Sequence, residues 1–151
     1  MAEWKKMLIA IDEEETSLKA LHYVGRMARD IHLLSICLLH VYPAPPPDFF
    51  QRGGVLEEYS KNKKHMADRL FYHAAQVLVQ YGIDENKLEY RCLMADGRTI
   101  SETVLQTQKE GEFGTVVVGK RGVSRAEEFI FGSISNALAR SSKDFSAWIV
   151  G

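Results

Sequence analysis

The residues with the plainest chemical purpose stand late in the chain. Gly119 is separated from Gly122 by two residues, and a nine-residue spacer then leads to Gly132-Ser133. Glycines let backbone N–H groups approach a ligand with no Cβ in the way. Gly132-Ser133 falls where an apolar-periodic segment (Ile134, Ala137, Leu138) begins. A helix start there carries unpaired N–H donors and the positive end of the helix dipole. Ser133 and Ser135 add hydroxyl donors, and Lys120, Arg121 and Arg125 add positive charge. Together these groups suit the capture of an anion, a phosphate above all. The pattern is not a Walker A loop, which needs a Lys beside the final Gly of G-x4-G-K-[ST]. An ordinary strand-to-helix connection, with glycines at turns and Ser133 as N-cap, accounts for the same residues without a ligand.

The elements that would hold such a loop can be read outward from it. Thr115 to Val118 is a β-branched run of the kind found in a strand buried on both faces, and it stops at Gly119. At the start of the chain, Lys5 to Ile11 is a second such run, ending at Asp12. The acidic and hydroxyl residues Glu13 to Ser17 then suit a helix N-terminus, and Leu18, Leu21, Val24, Ala28 and Ile31 recur at helical spacing. Leu33 to Val41 reads as the next strand. His40 near its end is a candidate site residue or, more simply, a histidine bonded to a neighbour. Tyr42 to Pro47 ends regular structure, and a loop runs to Gly54. Leu56 to Tyr81 is a long amphipathic helix with Leu56, Tyr59, Met66, Leu70, Ala74 and Val77 on its apolar side, closed by Gly82. Leu88 to Ala95 alternates as an edge strand does. Thr99 to Glu110 is a short helix whose weakly apolar face is Ile100, Val104, Leu105 and Gln108. After the glycine loop, a helix over Ser133 to Ser141 precedes a last strand, Phe145 to Val150.

Composition bounds the function. The chain of 151 residues has 46% hydrophobic and 26% charged residues and a net charge of −1. One domain spanning 1–151 is expected, with no basic surface for nucleic acid and no apolar run long enough to span a membrane. The first residues carry no signal-peptide pattern, and the two cysteines, Cys37 and Cys92, both fall in strands expected to be buried. They read as core thiols of a cytoplasmic protein rather than a disulfide or metal framework.

Strict alternation of strand and helix argues an α/β fold with a parallel sheet covered on both faces. Ligands of such sheets bind outside the carboxyl ends of the strands, where the winding reverses. If the first and fourth strands are neighbours there, Asp12 and Gly119 face one crevice. Asp12 then offers acceptors to ribose hydroxyls while the glycine loop holds phosphates.

The chain resembles the single-domain, nucleotide-binding branch of the universal stress proteins along essentially its whole length. The likeness lies in Lys6-Met7-Leu8-Ile9-Ala10-Ile11-Asp12, in Leu38-Leu39-His40-Val41, in Val116-Val117-Val118-Gly119, and in G-x2-G-x9-G-S followed by Ile134-Ser135. The resemblance implies a five-stranded sheet in order 3-2-1-4-5, the adenine nucleotide alpha hydrolase-like fold. It implies ATP, with or without Mg2+, whose adenine and ribose lie against Ala10, Ile11, Asp12 and Val41. The phosphates lie on Gly119, Gly122, Gly132, Ser133 and Ser135, and Val118, Arg121 and Ile134 complete the set. Two features depart from the family pattern. Glu13, Glu14 and Glu15 stand where Gly-Ser often follows the aspartate, and they either weaken a polyanion or favour a bound Mg2+. Ser146-Ala147-Trp148 replaces a Pro-Val pair in the last strand.

The reading that follows is an ATP-binding regulatory protein of the stress response, acting through nucleotide-dependent conformation or partner choice. Its alternatives are a nucleotide-independent dimeric adaptor and a slow ATPase. No general base stands beside the glycine motif, so no catalytic residue is assigned. Phe145, Trp148 and Ile149 make the fifth strand apolar for a sheet edge, and a homodimer through that strand is expected.

Overall fold

A computed structural model describes residues 2–120 and 134–151. Its elements run β1 (Glu3–Ala10), α1 (Glu15–Ala28), β2 (Ser35–Pro43), α2 (Leu56–Gln80), β3 (Leu88–Ala95), α3 (Ile100–Gly111), β4 (Phe113–Gly119), α4 (134–141) and β5 (Ser146–Val150). A single 3-10 turn, Glu85–Lys87, precedes β3, with the Asp84 side chain accepting from the Asn86 amide. All strand pairs are parallel, in the order β3-β2-β1-β4-β5. β1 and β4 are therefore neighbours, and the fold is the expected one.

Two apolar layers sandwich the sheet. On one face Met7, Ile9, Ile36 and Leu38 meet Leu21 and Val24 of α1 and Phe71 and Leu78 of α2. On the other, Leu8, Leu39, Val116 and Val118 meet Val104 of α3 and Leu138 of α4. Alternate residues of β1 and β4 thus feed opposite cores, which is why those strands are apolar throughout. β4 is buried along its whole length. Its second residue, Gly114, runs so close to β1 that a Cβ there would stand 2.4 Å from the Glu3 carbonyl oxygen. The β1–β4 register shifts between Glu3 and Met7 at the same place.

The helix faces differ from the expected ones in part. On α1, Leu18 is exposed, and Ala20, Leu21, Val24 and Ala28 carry the packing. On α2, Leu56 and Met66 are exposed, and the buried stripe is Ala67, Phe71, Ala74, Ala75 and Leu78. Length accounts for Leu56: 25 residues of helix span about 37 Å, more than the strands beneath them, so the first turn overhangs the sheet, whereas Met66, next to the fully buried Ala67, lies on the solvent side of the helix. The overhang packs instead on the loop after β2. Tyr59 donates its hydroxyl to the Pro43 carbonyl at 2.6 Å, and its ring lies edge-on to Phe49 and Tyr42.

The cysteines also part company. Cys37 is buried in the layer beneath α3, whereas Cys92, on edge strand β3, is half-buried and packs toward the opposite layer. Burial, reinforced by the Glu89 carboxylate, pushes the Cys37 thiol up to about 12. β5 is the other edge strand, as expected. Ile149 is exposed there, while Trp148 turns inward and meets Tyr23 of α1 ring to ring. Phe145 lies just before the strand and packs beside α3 and α4.

Candidate functional site

β1 and β4 end level with each other: Ala10 pairs with Val118 in register, and on the other side Ala10 pairs with Leu39 of β2. Past this point the chains diverge. The Ile11 amide still donates to the Leu39 carbonyl at 2.8 Å, which carries the β1–β2 ladder one residue beyond the strand. The Ile11 carbonyl accepts from His40 Nδ1 at 2.9 Å. His40 is buried and bonded to a neighbour, so the simpler reading of that residue holds.

A cleft opens at this fork. Ala10, Ile11 and Asp12 from the end of β1, Val41 from β2, and Val118 and Gly119 from β4 line it, with Ile134 at the start of α4. Seven of the sequence-based candidates thus share one wall. Ser135 is the next residue of α4 and is half-buried. Arg121, Gly122, Gly132 and Ser133, the other candidates, lie outside the described residues, as does the whole nine-residue spacer with Arg125. Lys120 is exposed at the rim, its backbone N–H held by the Val150 carbonyl at 2.5 Å.

Three lining residues escaped the sequence reading as site residues: Ser17 of α1, and Ile100 and Val104 of α3. The α3 pair was legible as an apolar helix face but not as a cleft wall. α3 begins at the same end of the sheet, fixed by a capping box. Thr99 Oγ1 accepts from the Glu102 amide at 3.1 Å, and Glu102 Oε2 accepts from the Thr99 amide at 3.0 Å. Ile100 and Val104 then turn one apolar side into the cleft.

Asp12 is tied into the start of α1. Its Oδ1 accepts from the Glu14 amide at 2.9 Å and from the Ser17 hydroxyl at 2.8 Å, while Ser17 Oγ accepts from the Asp12 amide at 3.0 Å. The carboxylate is held in place by donors from the first turn of the helix. Glu13, Glu14 and Glu15 beside it are exposed. Gly119 lies directly under this turn. A Cβ on it would stand 2.3 Å from the Thr16 carbonyl oxygen and 2.7 Å from the Ser17 amide nitrogen. Glycine at 119 is thus required by the close crossing of β4 and α1. The Thr16 hydroxyl in the same turn is buried and has no hydrogen-bond partner among the described residues.

The cleft therefore offers an apolar shelf of Ala10, Val41, Ile100 and Val104, a fixed carboxylate on one side, and glycine backbone on the other. A flat apolar ring with a polyhydroxyl group attached fits such a set. Among the described residues no group of three or more His, Cys, Asp or Glu side chains could hold a metal ion. No helix of the described residues is long and apolar enough to cross a membrane.

A sequence model of the universal stress protein family matches residues 3–144. The chain belongs to the universal stress protein family. Among curated proteins it is similar to the universal stress protein YxiE of Bacillus subtilis, 25% identical over 146 residues, with 92% of this chain and 94% of the relative covered. Among solved structures, a universal stress protein in complex with cAMP superposes with a TM-score of 0.65 at 18% identity, covering 100% of this chain and 98% of that one. The universal stress protein from Archaeoglobus fulgidus in complex with dAMP gives the same TM-score at 14% identity, with both chains covered in full. At these identities the structural likeness speaks for the fold. This universal stress protein carries the family's α/β sheet with its cleft where the sheet winding reverses.

Proposed function

We propose that this universal stress protein binds an adenine nucleotide in the cleft at the ends of β1 and β4, ATP in the first instance, and acts as a nucleotide-dependent regulator. The observation that carries the reading is the fork itself: adjacent strands end within a residue of each other, β1 leading on to Asp12 and β4 closing on Gly119, around an apolar shelf. Adenine rests on Val41 and its apolar neighbours, and Asp12 accepts from the ribose hydroxyls. The phosphates run toward Gly119 and the G-x2-G-x9-G-S segment, with Arg121, Gly122, Gly132, Ser133 and Ser135 as their donors. Two relatives of the same fold are complexes with cAMP and dAMP, which supports the ligand class. Mg2+ enters on the phosphates, as that ion does where a protein supplies only one or two carboxylates. Residues 1–151 act as one domain, and two copies pair through the β5 edge, where Ile149 is exposed. Among the described residues the site offers no assignable general base, in keeping with slow turnover or none.

One observation favours a second reading. The crossing of Thr16 over Gly119 gives that glycine a packing purpose independent of any ligand, as a nucleotide-independent dimeric adaptor requires. Mass spectrometry of small molecules released from the purified, denatured protein separates the two, followed by calorimetric titration with ATP and a phosphate-release assay. Co-purifying adenine nucleotide and saturable ATP binding with negligible release support the regulator. No nucleotide and no heat of binding at millimolar ATP leave the adaptor.

A further inference from the structure

At the far side of the sheet from β5 lies β3, and no strand among the described residues pairs with its outer edge. An open edge is a template for another chain, and proteins commonly guard it with a short strand, a proline, a bulge or charge. β3 has none of the first three: its eight residues contain no proline and keep regular register with β2 from Leu88 to Ala95. Its two charges are turned away. Glu89 and Arg91 pair with each other at 3.5 Å on the α3 side, where Arg91 also lies over the Phe113 ring. The α2 side of the strand is uncharged, with Leu88, Tyr90, Cys92 and Met94 alternating along it. Beside that side a groove of about 440 Å³ runs between α2 and β3. Phe71, Tyr72 and Ala75 form its helix wall, and Tyr90 and Cys92 its strand wall. The Phe71 and Tyr90 rings meet at 5.4 Å between centroids, while Tyr72 and Tyr90 are exposed. A helix lying along an open strand leaves room for one extended chain, whose backbone bonds to the strand and whose alternate side chains enter the groove.

Charge around the groove narrows the occupant. Lys64, Asp68 and Glu85 line it, and among the described residues neither carboxylate has an ion-pair partner within 4.0 Å. Both are exposed, and they stand at different points along the strand. Burial first, and the Glu85 carboxylate second, push the Tyr90 phenol up. At Cys92 burial dominates and raises the thiol, with Lys64 pulling it down and Asp68 pushing it up. Glu85 thus lies toward the start of β3 and Asp68 toward its end, with the aromatic floor between them. We infer that this groove takes an extended segment of a partner protein, which adds a sixth strand at β3 and carries one bulky apolar side chain flanked at alternate positions by basic ones. The apolar side chain rests on Tyr72 and Tyr90, and the flanking cations meet Asp68 and Glu85. A second copy of this chain paired edge to edge does not match that pattern, because the groove-side stripe of β3 carries no cation to offer. The groove is separate from the cleft at the ends of β1 and β4, so the inference goes beyond the nucleotide reading and does not depend on it.

The test is fluorescence polarisation of labelled heptapeptides titrated with the full chain in the absence of nucleotide. In the first peptide, threonines alternate with lysine, leucine and lysine, in that order. The second has glutamates in place of the lysines. The third keeps the composition of the first but sets both lysines directly beside the leucine, which breaks the alternation. The first should bind saturably, and the other two roughly tenfold or more weakly. In the complex, alternate backbone amides of β3, those facing outward, should exchange with solvent more slowly by nuclear magnetic resonance. Asp68→Lys combined with Glu85→Lys reverses charge at two exposed positions. That variant should keep the native circular dichroism and invert the preference, binding the glutamate peptide about tenfold more tightly than the lysine peptide. Absence of binding by the first peptide at millimolar concentration overturns the inference. Equal binding of all three peptides, or a preference unchanged in the double variant, overturns it as well. So does binding that leaves exchange along β3 unaltered. A dimer that persists in Ile149→Lys by light scattering and dissociates when Tyr90→Lys is added gives the β3 edge to a second copy and overturns it too.

Discussion

Replacing Gly119 by alanine tests how β4, α1 and the cleft are joined. The added Cβ would stand 2.3 Å from the Thr16 carbonyl oxygen, 2.4 Å from its carbonyl carbon and 2.7 Å from the Ser17 amide nitrogen. Carbon atoms rest comfortably at about 3.5–4.0 Å, so something must move by about 1 Å. All three obstacles are backbone, and no side chain can swing away to relieve them. Forced overpacking of this kind costs about 1–3 kcal/mol. For a chain of this size each kcal/mol lowers Tm by about 2–4 °C, so a fall of roughly 2–12 °C is expected. The turn that is displaced carries Ser17, whose bonds hold Asp12, so AMP affinity should drop by about tenfold as well. Gly114→Ala is the matched control. Its Cβ would meet the Glu3 carbonyl oxygen at 2.4 Å and Trp4 Cα at 2.5 Å, also backbone, at the far end of the same strand. It should lower Tm comparably and leave the affinity of the folded protein unchanged. Scanning calorimetry and isothermal titration on both variants decide the matter. A Gly119→Ala protein that melts with the native one refutes the packing argument. Equal loss of affinity in both variants refutes the placement of the site at the carboxyl end of β4.

Ile149→Lys places a charge on the open edge of β5 at a side chain that is 42% exposed, and light scattering should show monomers with the circular dichroism of the native fold. Leu33 has φ 64° and is 74% exposed, so Leu33→Asn should relieve backbone strain and raise Tm by about 2–4 °C, the equivalent of about 1 kcal/mol, in a thermal melt. Cys37, whose thiol is raised from 9.0 to about 12, stays protonated in the native state where the unfolded chain ionises. That contribution is complete below pH 9 and is lost as the pH rises from 9 toward 12, so urea midpoints should fall over that window and Cys37→Ala should flatten the fall.

The fold was legible because each strand announced itself. Met7 to Ile11 and Thr115 to Val118 are continuous apolar runs that only a doubly covered sheet accommodates, and each stops abruptly, at Asp12 and Gly119. The neighbouring of β1 and β4 was not in the periodicity and came from family likeness. Half of the cleft followed from the same strand ends, since the first polar residue after a parallel strand lies at its carboxyl end. Ser17 was hidden because its bond to Asp12 depends on the chain reversing within five residues, and no periodic pattern encodes that reversal. The α2 face slipped because Leu56 and Met66 keep helical spacing as well as Ala67 and Phe71 do. The extent of the sheet leaves Leu56 uncovered, and the rotation of the helix against the sheet turns Ala67 inward and its neighbour Met66 outward. Gly119 was read as room for a phosphate, and the structure adds the approach of Thr16 that spacing along the chain does not reveal.

The division of the cleft between sugar and phosphates is the central claim, and one set of titrations tests it most directly: adenosine and ATP, each against the native protein, Asp12→Ala and Ser133→Ala. Asp12→Ala should weaken adenosine and ATP alike, because its partner is the sugar. Ser133→Ala should spare adenosine and weaken ATP by roughly ten- to a hundredfold, the worth of one hydroxyl donor to a charged acceptor. If both substitutions weaken the two ligands equally, or if neither changes ATP binding, the account of the site is wrong.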